Sequence, residues 1–365
     1  MEKQNVSFFC LEGDNREIGR KLAKLAGKER MVMPAPVFFT EEVFAEAVAL
    51  YERYCPGLME EVTAFAKEAE ASVRDIAYTW MTYLTPHCSG LVLSKERMED
   101  GHTRLFRNYE FSIPDEDFLV FETRPKGRYA HISGSIALFG REEGINSCGL
   151  AISMSSCGFP VSNLEGMRPP KIKGLQFWAV IRSLLENCAT VEEALSMLED
   201  MPIAYNINLY LADAKGEGVL FETMDGASCV ERFTKEKNYL CGTNHIAISS
   251  FQPLEPFAMK NSVVRLRALE GFMKEKAVRS EDEVKELFLA AYPKGMSVNY
   301  YDEWFGTIKT VVLDTTDMSY QICWLGQKEN GWERYDFTNK QTEQTITKQY
   351  QREKADPDFF SQVKL

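Results

Sequence analysis

Pro86-His87-Cys88-Ser89-Gly90-Leu91-Val92-Leu93, then Asp100-Gly101, then Leu105-Phe106-Arg107-Asn108-Tyr109-Glu110: this stretch decides how the rest of the chain is read. Leu91-Val92-Leu93 and Leu105-Phe106 are apolar runs on either side of a polar turn, the signature of a β-hairpin. In a hairpin the end of the second strand folds back beside the start of the first. Arg107, Asn108 and Glu110 are therefore expected near Cys88, three polar groups on a hairpin otherwise built for burial. An arbitrary cysteine reads as a small buried hydrophobe. One that heads the first sheet strand, at a break in texture and beside an arginine and a carboxylate, reads as a nucleophile.

Upstream of this break the chain reads as helical. Ile18, Leu22 and Leu25 recur at helical spacing after Asp14, a candidate N-cap, and Val43, Ala47, Leu50 and Tyr54 form a second stripe. Pro56 sits where a third helix would begin, and Ser72 to Asp75 has the form of a capping box opening a fourth. No strand pattern stands out before residue 86. Downstream, strands are expected over 118–123, 129–133, 149–154, 207–212, 219–223, 239–243, 308–313 and 320–325. Helices are expected over 175–187 and 262–274, after Thr190, and after Ser280. Hairpins in blocks with helices in pairs between them indicate an α+β sandwich rather than alternating βαβ units. Beyond Gly326 the residues are polar and read as a peripheral tail.

Composition excludes several classes of function. Hydrophobic residues make up 45% and charged residues 26% of 365, a normal globular balance. Lys and Arg total 42 against 54 Asp and Glu, a net charge of −12 that suits neither nucleic acid nor an anionic membrane surface. There is no export signal and no apolar run of membrane-spanning length. Nine cysteines without a C-x-x-C pair read as reduced thiols in a cytoplasmic enzyme, and four histidines make a histidine-based metal site improbable. No glycine-rich phosphate loop opens a helix, so no nucleotide is expected, and no cofactor or metal is called for.

The hairpin and the chain downstream of it resemble the N-terminal nucleophile (Ntn) hydrolases. The subgroup joins the choloylglycine hydrolases to the acyl-CoA:isopenicillin N acyltransferases, the linear amide C–N hydrolases. After Cys88-Ser89-Gly90 and Arg107-Asn108-Tyr109-Glu110, the stretch Gly144-Ile145-Asn146-Ser147-Cys148-Gly149-Leu150 is similar to that group's G-(M/I)-N-x-x-G-L strand pattern. Thr190-Val191-Glu192-Glu193-Ala194, Asp213 to Gly216 with Glu222, Thr243-Asn244-His245, Ser262 to Arg265 and Thr307 to Leu313 come next, in the family's order. Glu12-Gly13 with Glu17-Ile18-Gly19 is similar to the start of the acyltransferase branch, so the likeness runs from about residue 12 to 326.

The resemblance implies an αββα sandwich over residues 88–326, preceded by a helical pro-segment over 1–87 and succeeded by a tail over 327–365. It implies scission of the His87–Cys88 bond, which frees Cys88 as nucleophile. It also implies roles for Arg107 in lowering the thiol pKa and for Glu110 in holding the α-ammonium or positioning the amine. Asn146 and Asn244 are implied near the oxyanion and the reacting amine, and Arg265 as a second arginine on a helix. A free α-amine titrates at about 7.7–8.0, so one residue would supply both nucleophile and base. Glu110 stands where the family usually has aspartate, and His87 where the acyltransferase branch often has a small or acidic residue.

The expected function is hydrolysis of a linear non-peptide C–N bond in a small N-acyl substrate through a thioester. The alternatives are acyl transfer to an amine, an internal Cys88 served by His87 or His245, and a binding module on a decayed scaffold. Until the 87–88 bond is cut, residues 85–87 are expected in the acyl cleft. Cys148, Cys157 and Cys241 are expected in the core. For Tyr300, Tyr301, Trp304 and Phe305, core or interface packing is expected over an acyl pocket. Homo-oligomerisation is left open.

Overall fold

The computed structural model describes residues 1–26, 28–80, 84, 86–158, 172–338 and 341–365. Its centre is a pair of stacked β-sheets. One runs, in spatial order, Ala227–Arg232, Gly218–Met224, Ile207–Ala212, Ala151–Ser156, Gly140–Asn146, His131–Ile136, Leu119–Pro125, Glu2–Gly13 and Gln344–Tyr350. The other runs Tyr239–Gly242, His87–Leu93, Arg104–Phe111, Phe305–Asp314, Ser319–Trp324 and Glu333–Asp336, with Asn299–Tyr300 added beside Phe305–Asp314.

Side-chain alternation explains why each sheet is covered on both faces. In the second sheet Leu91, Leu93, Phe106 and Val312 point outward, onto Leu269 and Met273 of the helix Lys260–Glu275 and Val284 and Phe288 of Glu281–Leu289. Their neighbours Cys88, Val92, Leu105, Tyr109 and Val311 point inward to the first sheet. The first sheet's outer face is covered by the helix Phe177–Asn187, almost wholly buried. Glu41–Tyr54 and Leu58–Glu68 sit on that helix, Ser183 donating to the Tyr54 carbonyl and Arg182 pairing with Glu61; Asn15–Leu25 packs on Leu58–Glu68, and Tyr78 of Ala77–Trp80 meets Trp178. Full burial of each apolar side chain there contributes about 1.5–3 kcal/mol, so these contacts fix the helix layer. The order helix, sheet, sheet, helix is the expected αββα sandwich.

Three expectations need correction. The segment before residue 87 is not wholly helical: Glu2–Gly13 is a strand, parallel to Leu119–Pro125 and antiparallel to Gln344–Tyr350. Only Val6, Phe8 and Leu11 of it are buried, too broken a pattern to show period 2, and its partners lie more than a hundred residues away. The residues after 326 are not a peripheral tail. Glu333–Asp336 and Gln344–Tyr350 extend the two sheets as edge strands, whose solvent-facing positions account for the polar composition. Gln362–Lys364 pairs with Phe257–Met259, and Phe359 packs on Phe305. Finally, of the stripe Val43, Ala47, Leu50 and Tyr54 only Tyr54 is buried, with Tyr51 beside it, while the other three stay partly exposed along a groove of about 210 Å³.

Several local signals hold. Asp14 and Ser280 each close a capping box, and Thr190 accepts from the Glu193 amide. Ser72 caps only a 3₁₀ turn, Val73–Asp75, before the four-residue helix Ala77–Trp80. Tyr301 and Phe305 are buried and Trp304 is exposed, so this run divides between core and surface. Cys157 and Cys241 are buried, whereas Cys148 lies half-exposed in a turn.

Candidate active site

Hairpin register brings the first expected group together. His87 faces Glu110, Cys88 faces Tyr109 and Gly90 faces Arg107. Gly101, at φ +74°, lies in the turn between the strands, a conformation glycine adopts without strain. On the inner face Arg107 Nη2 donates to the Cys88 sulfur at 3.1 Å, and its Nε donates to the Met154 carbonyl at 3.1 Å. A side chain at Gly90 or Gly242 would collide with Tyr210, which lies across both glycines.

The outer face holds the second group. Arg265, from the helix Lys260–Glu275, donates through Nη1 to the Cys88 carbonyl at 3.0 Å and to Ser89 Oγ at 2.7 Å. Its Nη2 donates to Asn244 Oδ1 at 2.6 Å and to Asn261 Oδ1 at 2.9 Å. Asn244 Oδ1 also accepts the Cys88 N–H at 3.3 Å, and Asn244 Nδ2 donates to the Ser156 carbonyl at 3.0 Å. The loop carrying Asn244 is held at both ends. Ser262 Oγ accepts the Asn244 N–H, Glu255 accepts those of Ile246 and Gly158, and Glu222 accepts those of Ala247 and Ile248. Glu222 thus serves the loop and not the sulfur.

Burial sets the protonation states. The Cys88 thiol is pushed up to about 11, burial outweighing the opposing pull of Arg107. Glu110 is fully buried with no hydrogen bond to either carboxylate oxygen, and its Oε2 lies 3.6 Å from Arg265 Nη1. Burial pushes its carboxyl up to about 7, opposed by Arg265 and Arg107. His87 stacks on Phe305 with ring centroids 4.2 Å apart, and burial, with Arg265 nearby, lowers it to about 3.

The chain just upstream of Cys88 is anchored by two hydroxyls. Ser156 Oγ donates to the Pro86 carbonyl at 2.8 Å, and Tyr205 OH donates to the Leu84 carbonyl at 2.9 Å. Residue 85 lies outside the described residues. Nothing in the sequence marked Ser156, Tyr205 or Tyr210, since their partners are distant backbone groups.

Asn146 is not part of this site. Its Oδ1 accepts from the amides of Cys148 and Leu150, and its Nδ2 donates to the carbonyls of Leu185 and Cys188. It is a saturated turn residue, at the opposite end of the strand pair from Ser156. Neither histidine meets the sulfur: His245 Nδ1 lies 2.6 Å from Ser262 Oγ, and His87 Nδ1 has no partner. Among the described residues one group has metal-ligand spacing, His102, Asp314 and Asp317. It sits at the far end of the hairpin, where Arg104 already pairs with Asp314 at 2.7 Å.

The two sheets stacked between helices form an Ntn-type sandwich, and the family match makes this an amide hydrolase or acyltransferase. The chain belongs to the family described as acyl-coenzyme A:6-aminopenicillanic acid acyl-transferase, whose model matches residues 97–329. That match begins after Cys88. No curated protein matches. Among solved structures, penicillin V acylase from Agrobacterium tumefaciens is 18% identical, covering 65% of this chain and 83% of its own, with a TM-score of 0.42. A mutant conjugated bile acid hydrolase from Clostridium perfringens is 13% identical, with 73% and 98% covered and a TM-score of 0.46. The Caenorhabditis elegans ortholog of N-acylethanolamine-hydrolyzing acid amidase is 15% identical, with 63% and 93% covered and a TM-score of 0.43. Among the described residues no helix is long and apolar enough to cross a membrane.

Proposed function

We propose that this chain is a cysteine amidohydrolase that cuts a linear non-peptide C–N bond of an N-acyl compound, after scission of its own His87–Cys88 bond. The observation that carries the reading is the setting of the Cys88 nitrogen. Asn244 Oδ1 accepts from it, and the Glu110 carboxyl, which has Arg265 at 3.6 Å but no hydrogen bond, is buried opposite the preceding residue. An amide N–H needs no buried carboxylate, whereas an α-ammonium does.

In the uncut chain that nitrogen is an amide and cannot act as a base. Scission begins when the thiol adds to the His87 carbonyl carbon and the peptide nitrogen leaves as the amine; water then releases the His87 carboxyl from the thioester. The free α-amine next takes the Cys88 thiol proton, and Arg107 steadies the thiolate. Thiolate attack on a substrate amide gives a tetrahedral oxyanion, whose collapse forms the acyl thioester. The amine departs with the proton held by the α-ammonium, and water hydrolyses the thioester to acid and thiol. With Asn146 engaged elsewhere, Asn244 is the expected amide left to serve the oxyanion.

Acyl transfer is the second reading, favoured by the family's description: an amine in place of water accepts the same acyl group. An internal Cys88 has less support, because no histidine reaches its sulfur. All nine cysteines are unpaired, which supports a reducing, cytoplasmic setting. Turnover of N-acyl amides by the parent and by Cys88→Ala, with and without a competing amine, tests the proposal. Equal turnover by the variant would sink it.

A further inference from the structure

Behind the thiol lies a set of buried charges that this chemistry leaves unused. Arg107 divides its guanidinium: Nη2 faces the Cys88 sulfur, while Nη1 pairs with Glu143 and has Glu142 Oε2 at 4.0 Å. The Tyr320 hydroxyl donates to Glu143 Oε1 at 2.8 Å. Lys309 Nζ pairs with Glu142 and, at 3.1 Å, with Glu116 Oε1. The neighbouring Asp117 meets the half-exposed Arg30 at 3.1 Å. Arg107, Lys309, Glu116, Glu142 and Glu143 have no side-chain exposure. Gly134 makes room for them, because a Cβ there would overlap Glu143 and Lys309.

With Asp117 matched by Arg30, two buried cations face three buried carboxylates. Full ionisation would leave an excess negative charge close to the sulfur, and burial raises Glu116 and Glu143. Tyr109 lies under Arg107 on the same face, and Glu110, Arg265, His87, Tyr205 and Tyr210 are the other titratable groups about Cys88.

We propose that Glu143, anchored by Tyr320 and backed by Glu142 and Lys309, is a positioning residue that sets how much of the Arg107 charge reaches the Cys88 sulfur. It thereby sets the pH at which the thiol ionises. The proposal rests on Cys88 being the nucleophile.

The test is the pH profile of Cys88 alkylation by iodoacetamide, read by mass spectrometry on the peptide that carries Cys88. Glu143→Gln keeps the shape but removes the anion competing for Arg107, so the midpoint should fall by about one pH unit, a tenfold change in ionisation constant. Glu143→Asp keeps the charge on a shorter stem and should leave the midpoint within a few tenths of the parent. Glu142→Gln should shift it in the same direction by less, and decides the matter if Glu143→Gln does not fold. A midpoint unmoved or raised by the glutamine variants, or moved equally by Gln and Asp, would overturn the proposal. Failure of the nucleophile reading would show separately, as turnover retained by Cys88→Ala.

Discussion

Arg107 reaches across the hairpin to within 3.1 Å of the Cys88 sulfur, yet burial still holds the thiol at about 11. The guanidinium lies close enough to favour thiolate, and desolvation of the fully buried sulfur outweighs it. An uncut chain, with its thiol protonated near neutral pH, is expected to be inactive.

Removing the cation leaves burial unopposed. Arg107→Met should raise the midpoint of Cys88 alkylation by about 1–3 pH units and abolish turnover. Arg107→Lys keeps charge without the planar fork and should retain partial activity. A Met variant with the parent's alkylation profile would remove Arg107 from the mechanism.

The two asparagines should separate cleanly. Asn244→Ala should lower kcat by roughly 10²–10³ with little change in KM. Asn146→Ala should instead cost about 1–3 kcal/mol of stability, since four backbone groups lose their partner, and leave kcat near the parent's. Thermal unfolding and steady-state rates, measured on both variants, check the division.

This contrast shows what was legible in the sequence. Cys88, Arg107, Glu110, Asn244 and Arg265 could be read because a hairpin register and ordered motifs tie them together, and the structure gathers all five. Asn146 could not, because a G-x-N-x-x-G pattern serves a tight turn as well as an active site. The strand Glu2–Gly13 escaped for a different reason: its pairing is non-local and its buried positions are few. Glu143 and Lys309 gave no signal, as charged residues in strands ordinarily face water; here two sheets bury them.

Glu110 carries a pH dependence with a definite sign. Its folded carboxyl titrates at about 7 against 4.5 when unperturbed, so the folded uncut chain binds more protons between those values. Its contribution to stability is present below about 4.5 and lost as pH rises to about 7. In a Cys88→Ala background, Glu110→Gln should gain stability relative to its parent across that window and hold a constant difference above it. Denaturant melts at pH 4.5, 6 and 8 measure this, and a pH-independent difference would contradict the assignment.

Residues 1–87 should stay attached after scission. They supply a strand inside the first sheet, and Glu61 forms a buried pair with Arg182 at 2.6 Å. Glu61→Ala would leave Arg182 only Glu186 and the Phe139 carbonyl as partners and should cost about 1–3 kcal/mol. Native chromatography of the cut protein should show one species holding both fragments. Separation of the fragments without unfolding would refute this.

The central claim is that the amine of Cys88 is set free and acts as the base. Intact mass under denaturing conditions, taken on the same sample that turns over an N-acyl amide, tests it most directly. The account predicts two chains, residues 1–87 and 88–365, with activity rising as the full-length species disappears. A single full-length mass in a fully active sample would contradict it and assign the chemistry to an internal cysteine.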